Sequence, residues 1–174
     1  MVTFNPTLQM GSASFSYSGN RATKTSSDGW TGAVRTSDLG DPTSSTIELT
    51  FPAVSTGDES NFFLGLAKGT HTVYDECMLD YGIYFYEDDA RLLNNCTTVN
   101  TQSYTASDVF KMEIASTNIK YYKNDVLVYT DSTTVPSDTY YGCGGCYYTN
   151  KYGELVVGSA TSSGLLNPPQ VAWI

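Results

Sequence analysis

Residues 119–130 read Ile-Lys-Tyr-Tyr-Lys-Asn-Asp-Val-Leu-Val-Tyr-Thr, two alternating aromatic and branched runs that meet at Asn124-Asp125. A two-residue break between period-two runs predicts a β-hairpin. Centring the turn on that pair opposes Lys123 to Val126, Tyr121 to Val128 and Ile119 to Thr130. Ile119, Tyr121, Val126 and Val128 then share one face, expected to be core. The other face carries Lys120, Tyr122, Leu127 and Tyr129, too apolar for bare solvent and too polar-tipped for an ordinary interior. It is expected to be a second layer or a contact surface.

Working outward, the same period recurs along the chain. Phe15 and Tyr17 alternate with serines ahead of the turn signal Gly19-Asn20. Residues 20–46, rich in Ser, Thr, Gly and Asp, read as a long connection with at most one short strand, Trp30 lying as a lid over the core edge. Ile47, Leu49 and Phe51 alternate with Glu48 and Thr50 until Pro52, which cannot donate to a ladder. Residues 61–67 are almost continuously apolar, as an interior strand requires. Over 78–86, Ile83 and Phe85 point one way and Tyr84 and Tyr86 the other, and Glu87-Asp88-Asp89 turns the chain back into Arg91-Leu92-Leu93. Residues 109–114 alternate Phe110, Met112 and Ile114 with Lys111 and Glu113. A Tyr- and Gly-rich segment follows at 140–148, then a strand at 154–157. The apolar end Val171-Ala172-Trp173-Ile174 is expected to close the sheet beside the first strand or to dock on a neighbour. No internal repeat or interdomain linker is visible, so 1–174 reads as one domain.

A chain of 174 residues buries roughly 70% of its unfolded surface as a single domain, so a full core needs no metal or disulfide. Nine Lys and Arg against eighteen Asp and Glu leave a net charge of −9, which disfavours nucleic acid and anionic membrane surfaces and favours solubility. Fourteen Tyr, seven Phe and two Trp among abundant Ser, Thr and Gly are the composition of strands and turns. No apolar run approaches the roughly 20 residues of a membrane span, and the start Met-Val-Thr-Phe-Asn-Pro has neither the basic flank nor the apolar centre of a signal peptide. The triplet Asn95-Cys96-Thr97 is a glycosylation acceptor only in a secretory pathway.

The succession Phe63-Leu64-Gly65-Leu66, Tyr81-Gly82-Ile83-Tyr84-Phe85, Asp108-Val109-Phe110 and Ile119-Lys120-Tyr121-Tyr122-Lys123-Asn124 resembles the core strands of SPRY-like domains and of the concanavalin A-like lectin and glucanase superfamily. The resemblance spans residues 61–131 and departs at Asp125, where the family has Gly. It implies an all-β fold, an antiparallel two-sheet β-sandwich of jelly-roll type. Family members bind glycans or peptides or sit as accessory modules, so the resemblance implies a module that binds a glycan or a protein. The compartment does not follow from the sequence, an extracellular or particle surface being the favoured setting.

Each chemistry can be tested against the residues. A glycoside hydrolase needs two carboxyl groups about 5 to 9 Å apart, and no strand places acids at alternate positions: Glu113 lies between Lys111 and Ala115, Glu48 between Thr46 and Thr50. The lone His71, with Asp75 in the same loop, lacks a marked nucleophile. Glu87, Asp88 and Asp89 form a candidate calcium cluster, though without the alternating spacing of a calcium loop, so a solvated turn is the better reading. Cys77, Cys96, Cys143 and Cys146 permit disulfides, free thiols or a zinc site; simple hairpin register leaves Cys77 and Cys96 out of step unless a bulge intervenes near 76–79. No cofactor is expected. Recognition wants exposed aromatics with polar tips, and Tyr84, Tyr86, Tyr122 and Tyr129, with Lys120, are the candidate ligand-binding residues. Tyr140, Tyr141, Tyr147 and Tyr148 form a second cluster suited to subunit packing. The expected function is non-catalytic recognition of a glycan or protein. The rival reading is a structural, self-associating subunit of a virion, fibre or filament, and an enzyme comes third.

Overall fold

Period-two burial builds two facing layers. The computed structural model describes residues 9–53, 61–69 and 73–158. Strands β1 (Met10–Gly11), β4 (Gly32–Gly40), β6 (Asn61–Lys68), β7 (Tyr81–Tyr86), β8 (Asp89–Asn94), β9 (Thr97–Ser103) and β13 (Tyr140–Cys146) form a larger sheet of seven, ordered β1-β4-β13-β6-β7-β8-β9. Five others, β5 (Ile47–Pro52), β10 (Val109–Ala115), β11 (Asn118–Lys123), β12 (Val126–Asp131) and β15 (Val156–Val157), form a smaller sheet ordered β12-β11-β10-β5-β15. A third, minor sheet pairs β3 (Arg21–Lys24) with β2 (Phe15–Ser18) on one side and β14 (Tyr152–Glu154) on the other. All pairings are antiparallel. The fold is therefore the all-β, antiparallel two-sheet sandwich that the resemblance implies.

The core lies between the two large sheets. Leu49, Phe51, Phe110, Met112, Ile114, Ile119 and Tyr121 meet Phe62, Leu64, Leu66, Ile83, Phe85 and Leu92, all buried. Phe62 stacks on Phe85 at 4.5 Å, and Phe110 meets Phe85 edge-on at 5.4 Å. Such pairs add about 0.5–1.5 kcal/mol each beyond the area they bury. The minor sheet contributes Ala22, Phe15 and Tyr17 to the same core.

The larger sheet is apolar on its outer face too. Phe63, Ala67, Met78, Leu79, Tyr84, Leu93 and Cys143 pack there with the partly exposed Trp30, Tyr74, Tyr86 and Tyr141. One end of this layer is set by a 3-10 turn, Glu76–Met78, whose cap Asp75 accepts the Cys77 N–H at 3.0 Å. Leu79 just beyond it packs on Gly82, the cross-strand partner of Gly65, where a Cβ would run into the Leu79 side chain. The same turn returns Cys77 to the β8–β9 turn, where it forms a disulfide with Cys96. The device that brings these cysteines together is thus a helical turn within the segment where the sequence asks for a bulge.

Several expectations are corrected. The hairpin forms, with Asn124 and Asp125 at φ 51° and 64° as a type I′ turn requires, and Lys123 pairs with Val126. Beyond Leu127, however, Val128 is an extra residue, so Tyr129 pairs with Tyr121 and Asp131 with Ile119. The inserted residue shifts the alternation by one. Val126, opposite Lys123 at the hairpin tip and ahead of the shift, is 65% exposed rather than core, and past the shift Tyr129 turns inward to pack 6.2 Å from Tyr121. Residues 20–46 hold two strands, β3 and the nine-residue β4, not one short strand at most. β9 is a further strand that the alternation did not announce, since its residues are mostly threonine and amides on a sheet edge. The apolar end 171–174 and His71 lie outside the described residues.

Candidate functional site

The sandwich separates the predicted site residues. Tyr84 and Tyr86 lie on the outer face of the larger sheet, Tyr122 and Lys120 belong to β11 of the smaller sheet, and Tyr129 faces the core. They do not form one site.

The smaller sheet's outer face is a self-satisfied charge cluster. The Tyr122 hydroxyl donates to Glu113 at 2.7 Å, and Lys111 lies 3.1 Å from Glu113, 3.8 Å from Glu48 and 4.4 Å above the Tyr122 ring. Burial and the bond to Glu113 push the Tyr122 phenol up to about 12. At Glu113 burial pushes the carboxyl up, but bonds from Tyr122 and Lys111 outweigh it and hold it below its ordinary range. Glu48 and Glu113 stand directly opposite each other on β5 and β10. Reading along single strands missed this pair, because adjacency across a sheet does not show in linear order. A carboxylate held ionised by a lysine is poorly suited to act as the proton donor that glycoside cleavage needs.

The larger sheet's outer face carries a continuous run of rings. Trp30 lies 5.5 Å from Phe63, 6.2 Å from Tyr84 and 5.5 Å from Tyr147; Tyr147 meets Tyr148 at 4.9 Å and Tyr84 meets Tyr86 at 5.7 Å. The Arg91 guanidinium lies over Tyr86 at 4.6 Å and over Tyr84 at 5.8 Å. Trp30, Tyr86, Arg91, Tyr147 and Tyr148 are partly exposed, while Tyr84 is buried and donates its hydroxyl to Asn61 at 2.7 Å. Burial, with Glu76 nearby, raises the Tyr84 phenol well above its ordinary value, so it stays a neutral donor. Of the second tyrosine cluster, Tyr147 and Tyr148 join this patch, Tyr141 lies under Arg35, and Tyr140 is core.

Two loops hold the patch, and one side chain that sequence reasoning missed ties them together. Lys24 is fully buried, and its ammonium donates to the Gly29 carbonyl and to the Tyr147 carbonyl. Burial lowers its pKa. Asp28 reinforces the junction by accepting from the Thr149 N–H at 2.7 Å and hydroxyl at 2.8 Å. The only signal for Lys24 was its alternation with Ala22 on one face of a polar strand.

The remaining candidates have structural employment. Glu87 and Asp88 form the turn between β7 and β8, their carbonyls accepting from the Tyr104 hydroxyl and N–H at 3.1 Å each. Asp89 opens β8 opposite Tyr86. Among the described residues no group of three or more His, Cys, Asp or Glu side chains is placed to hold a metal. Cys143 and Cys146 are not a disulfide pair. Three positions apart on β13, they point to opposite faces, Cys143 into the outer apolar layer and Cys146 into the core. Burial pushes both thiols up to about 12. Among the described residues no helix is long and apolar enough to cross a membrane.

No protein-family model matches the chain, and no curated protein matches it in sequence. Solved structures do. The SPRY domain of human HERC1 is 17% identical, with 88% of this chain and 96% of that domain covered at a TM-score of 0.60. The exoplasmic/lumenal domain of VIP36, in its Ca2+/Man3GlcNAc-bound form, is 8% identical over 93% of this chain and 86% of that one at 0.56. Alginate lyase AlgAT5 of Polysaccharide Lyase family 7 is 14% identical over 74% and 68% at 0.50. At such identities the likeness is one of fold, which hosts binding modules and enzymes alike. The chain is thus a β-sandwich of the SPRY-like, concanavalin A-like fold.

Proposed function

We propose that the protein is a non-catalytic recognition module that binds a glycan on the outer face of its larger sheet. The carrying observation is the run of partly exposed rings from Tyr148 through Tyr147 and Trp30 to Tyr86, ending at Arg91. Sugar rings present apolar C–H faces and hydroxyl rims. A patch of indole and phenol rings with polar tips offers matching stacking surfaces and hydrogen bonds in rigid side chains. The likeness to a lumenal domain solved with an oligosaccharide bound supports this reading at the level of fold. So does the opposite face, where the acidic groups are locked by Lys111 and Tyr122.

A glycan array followed by titration calorimetry tests the proposal. Trp30→Ala and Tyr86→Ala are each expected to weaken the best hit at least tenfold, about 1.4 kcal/mol, with cooperative thermal unfolding retained. Tyr122→Ala, on the other side of the sandwich, is expected to leave affinity intact. An array without hits, or binding that survives both patch substitutions, overturns the proposal.

A further inference from the structure

The chain has three arginines, and two are satisfied: Arg21 pairs with Glu154 at 3.2 Å, and Arg35 donates to the Gly69 carbonyl at 3.1 Å. Arg91 makes no hydrogen bond or ion pair among the described residues, its contacts being the rings of Tyr86 and Tyr84. It sits mid-strand on β8, between Tyr84 of β7 and Thr101 of β9. The rings hold the guanidinium at the end of the aromatic run, and its N–H fork has no acceptor among the described residues.

From this arrangement, and resting on the glycan reading above, we infer that Arg91 anchors a sugar bearing an isolated carboxylate, of the uronic or sialic acid kind. A guanidinium presents paired donors that match the two oxygens of a carboxylate, and stacking on an aromatic face fixes its plane in advance. The sugar ring attached to that carboxylate then lies over Tyr86 and its neighbours. The surrounding charge narrows the ligand further. Asp89 shares the strand with Arg91, Glu87 forms the adjoining turn, Asp75 and Glu76 lie toward Tyr84, and the chain carries −9 overall. Those acids repel a densely charged polyanion, while one carboxylate in bidentate contact is held at short range.

The test is an array of sialyl- and glucuronyl-terminated oligosaccharides, each printed beside its carboxyl methyl ester, with dextran sulfate, which has no carboxyl group, as the polyanion. The free acids are expected to bind at least tenfold more tightly than their esters. Arg91→Gln is expected to erase that ratio, and dextran sulfate is expected not to compete. Equal binding of acid and ester by the unmodified protein, or displacement by dextran sulfate, overturns the inference and leaves the glycan reading standing. Absence of binding to every member overturns both. Because the ratio is read on the unmodified protein first, poor folding of the Arg91 variant does not block the decision.

Discussion

The Asp108 carboxylate accepts from the Asn124 amide at 2.6 Å and the Thr105 N–H at 2.8 Å, and pairs with Lys123 at 3.2 Å. The Asn124 bond first, then Thr105 and Lys123, overcome the burial that would raise it and hold the carboxyl at about 2. An unfolded aspartate titrates near 3.9, so the folded value is depressed. The stabilisation is therefore complete above about pH 4 and lost as pH falls toward about 2. Allowing for solvent screening it is on the order of 1 kcal/mol. Urea titrations between pH 2 and pH 6 are expected to show stability falling with acidity, with a shallower fall in Asp108→Asn. Some slope remains in that variant because Asp131 is lowered too: burial raises it, but bonds from Thr133 and Asn94 prevail. An Asp108→Asn curve parallel to the wild type would mean that this carboxylate does not couple folding to protons. Lys24 illustrates a different residue-scale lesson. A buried lysine looks like any other lysine in sequence, and only the carbonyls it reaches reveal that it fastens the Trp30 and Tyr147 loops.

At the scale of the element, the β11–β12 hairpin separates what the linear order can encode from what it cannot. Its position and turn follow from alternation around Asn124-Asp125, and so do the strands at Phe51, Phe85 and Phe110, where large apolar side chains mark every second position, while the strand at Leu64 follows from an almost unbroken apolar run. The bulge at Val128 carries no such mark, and it draws Tyr129 inward, while Val126 is exposed because its pair with Lys123 lies at the hairpin tip. β4 went unrecognised because its buried positions include Gly32, Ala33 and Thr36, whose small side chains leave no apolar stripe. The candidate site was half legible. Tyr84 and Tyr86 were found from their alternation with Ile83 and Phe85, whereas Trp30 and Tyr147 reach them through loop packing that has no period. The turn also yields a prediction. Asn124 earns its left-handed backbone by accepting from the Val109 N–H at 2.9 Å and donating to Asp108, but Asp125 adopts φ 64° with an exposed side chain. A left-handed non-glycine residue costs up to about 1 kcal/mol. Asp125→Gly is therefore expected to raise the thermal midpoint by about 2–4 °C in a domain of this size, read by calorimetry. A lower midpoint would show that the Asp125 charge, which lies near Lys111, outweighs the backbone strain.

For the whole molecule the question is whether the sandwich works alone or as a building block. β9 and β12 end the two large sheets, and among the described residues neither has a strand on its outer side. Both edges lie on the same flank, linked by Asn94 to Asp131 at 2.8 Å and by Lys123 to the Ser103 carbonyl at 2.7 Å. β9 carries no charged side chain and β12 only Asp131. Unprotected, such edges would be templates for adding further strands, the route by which a sandwich becomes a fibre. Each is interrupted instead. The ladder shifts at Leu92/Leu93 against β9 and at Tyr121/Tyr122 against β12, so a straight incoming strand loses its register midway. A net charge of −9 adds repulsion between copies. Light scattering over a hundredfold concentration range at moderate salt is therefore expected to return the monomer mass of 18.9 kDa throughout. Val126→Glu, placed at the exposed tip of β12, is expected to change nothing. A mass that grows with concentration, and that Val126→Glu suppresses, would instead identify this flank as an assembly contact and favour the structural-subunit reading over recognition by a free module.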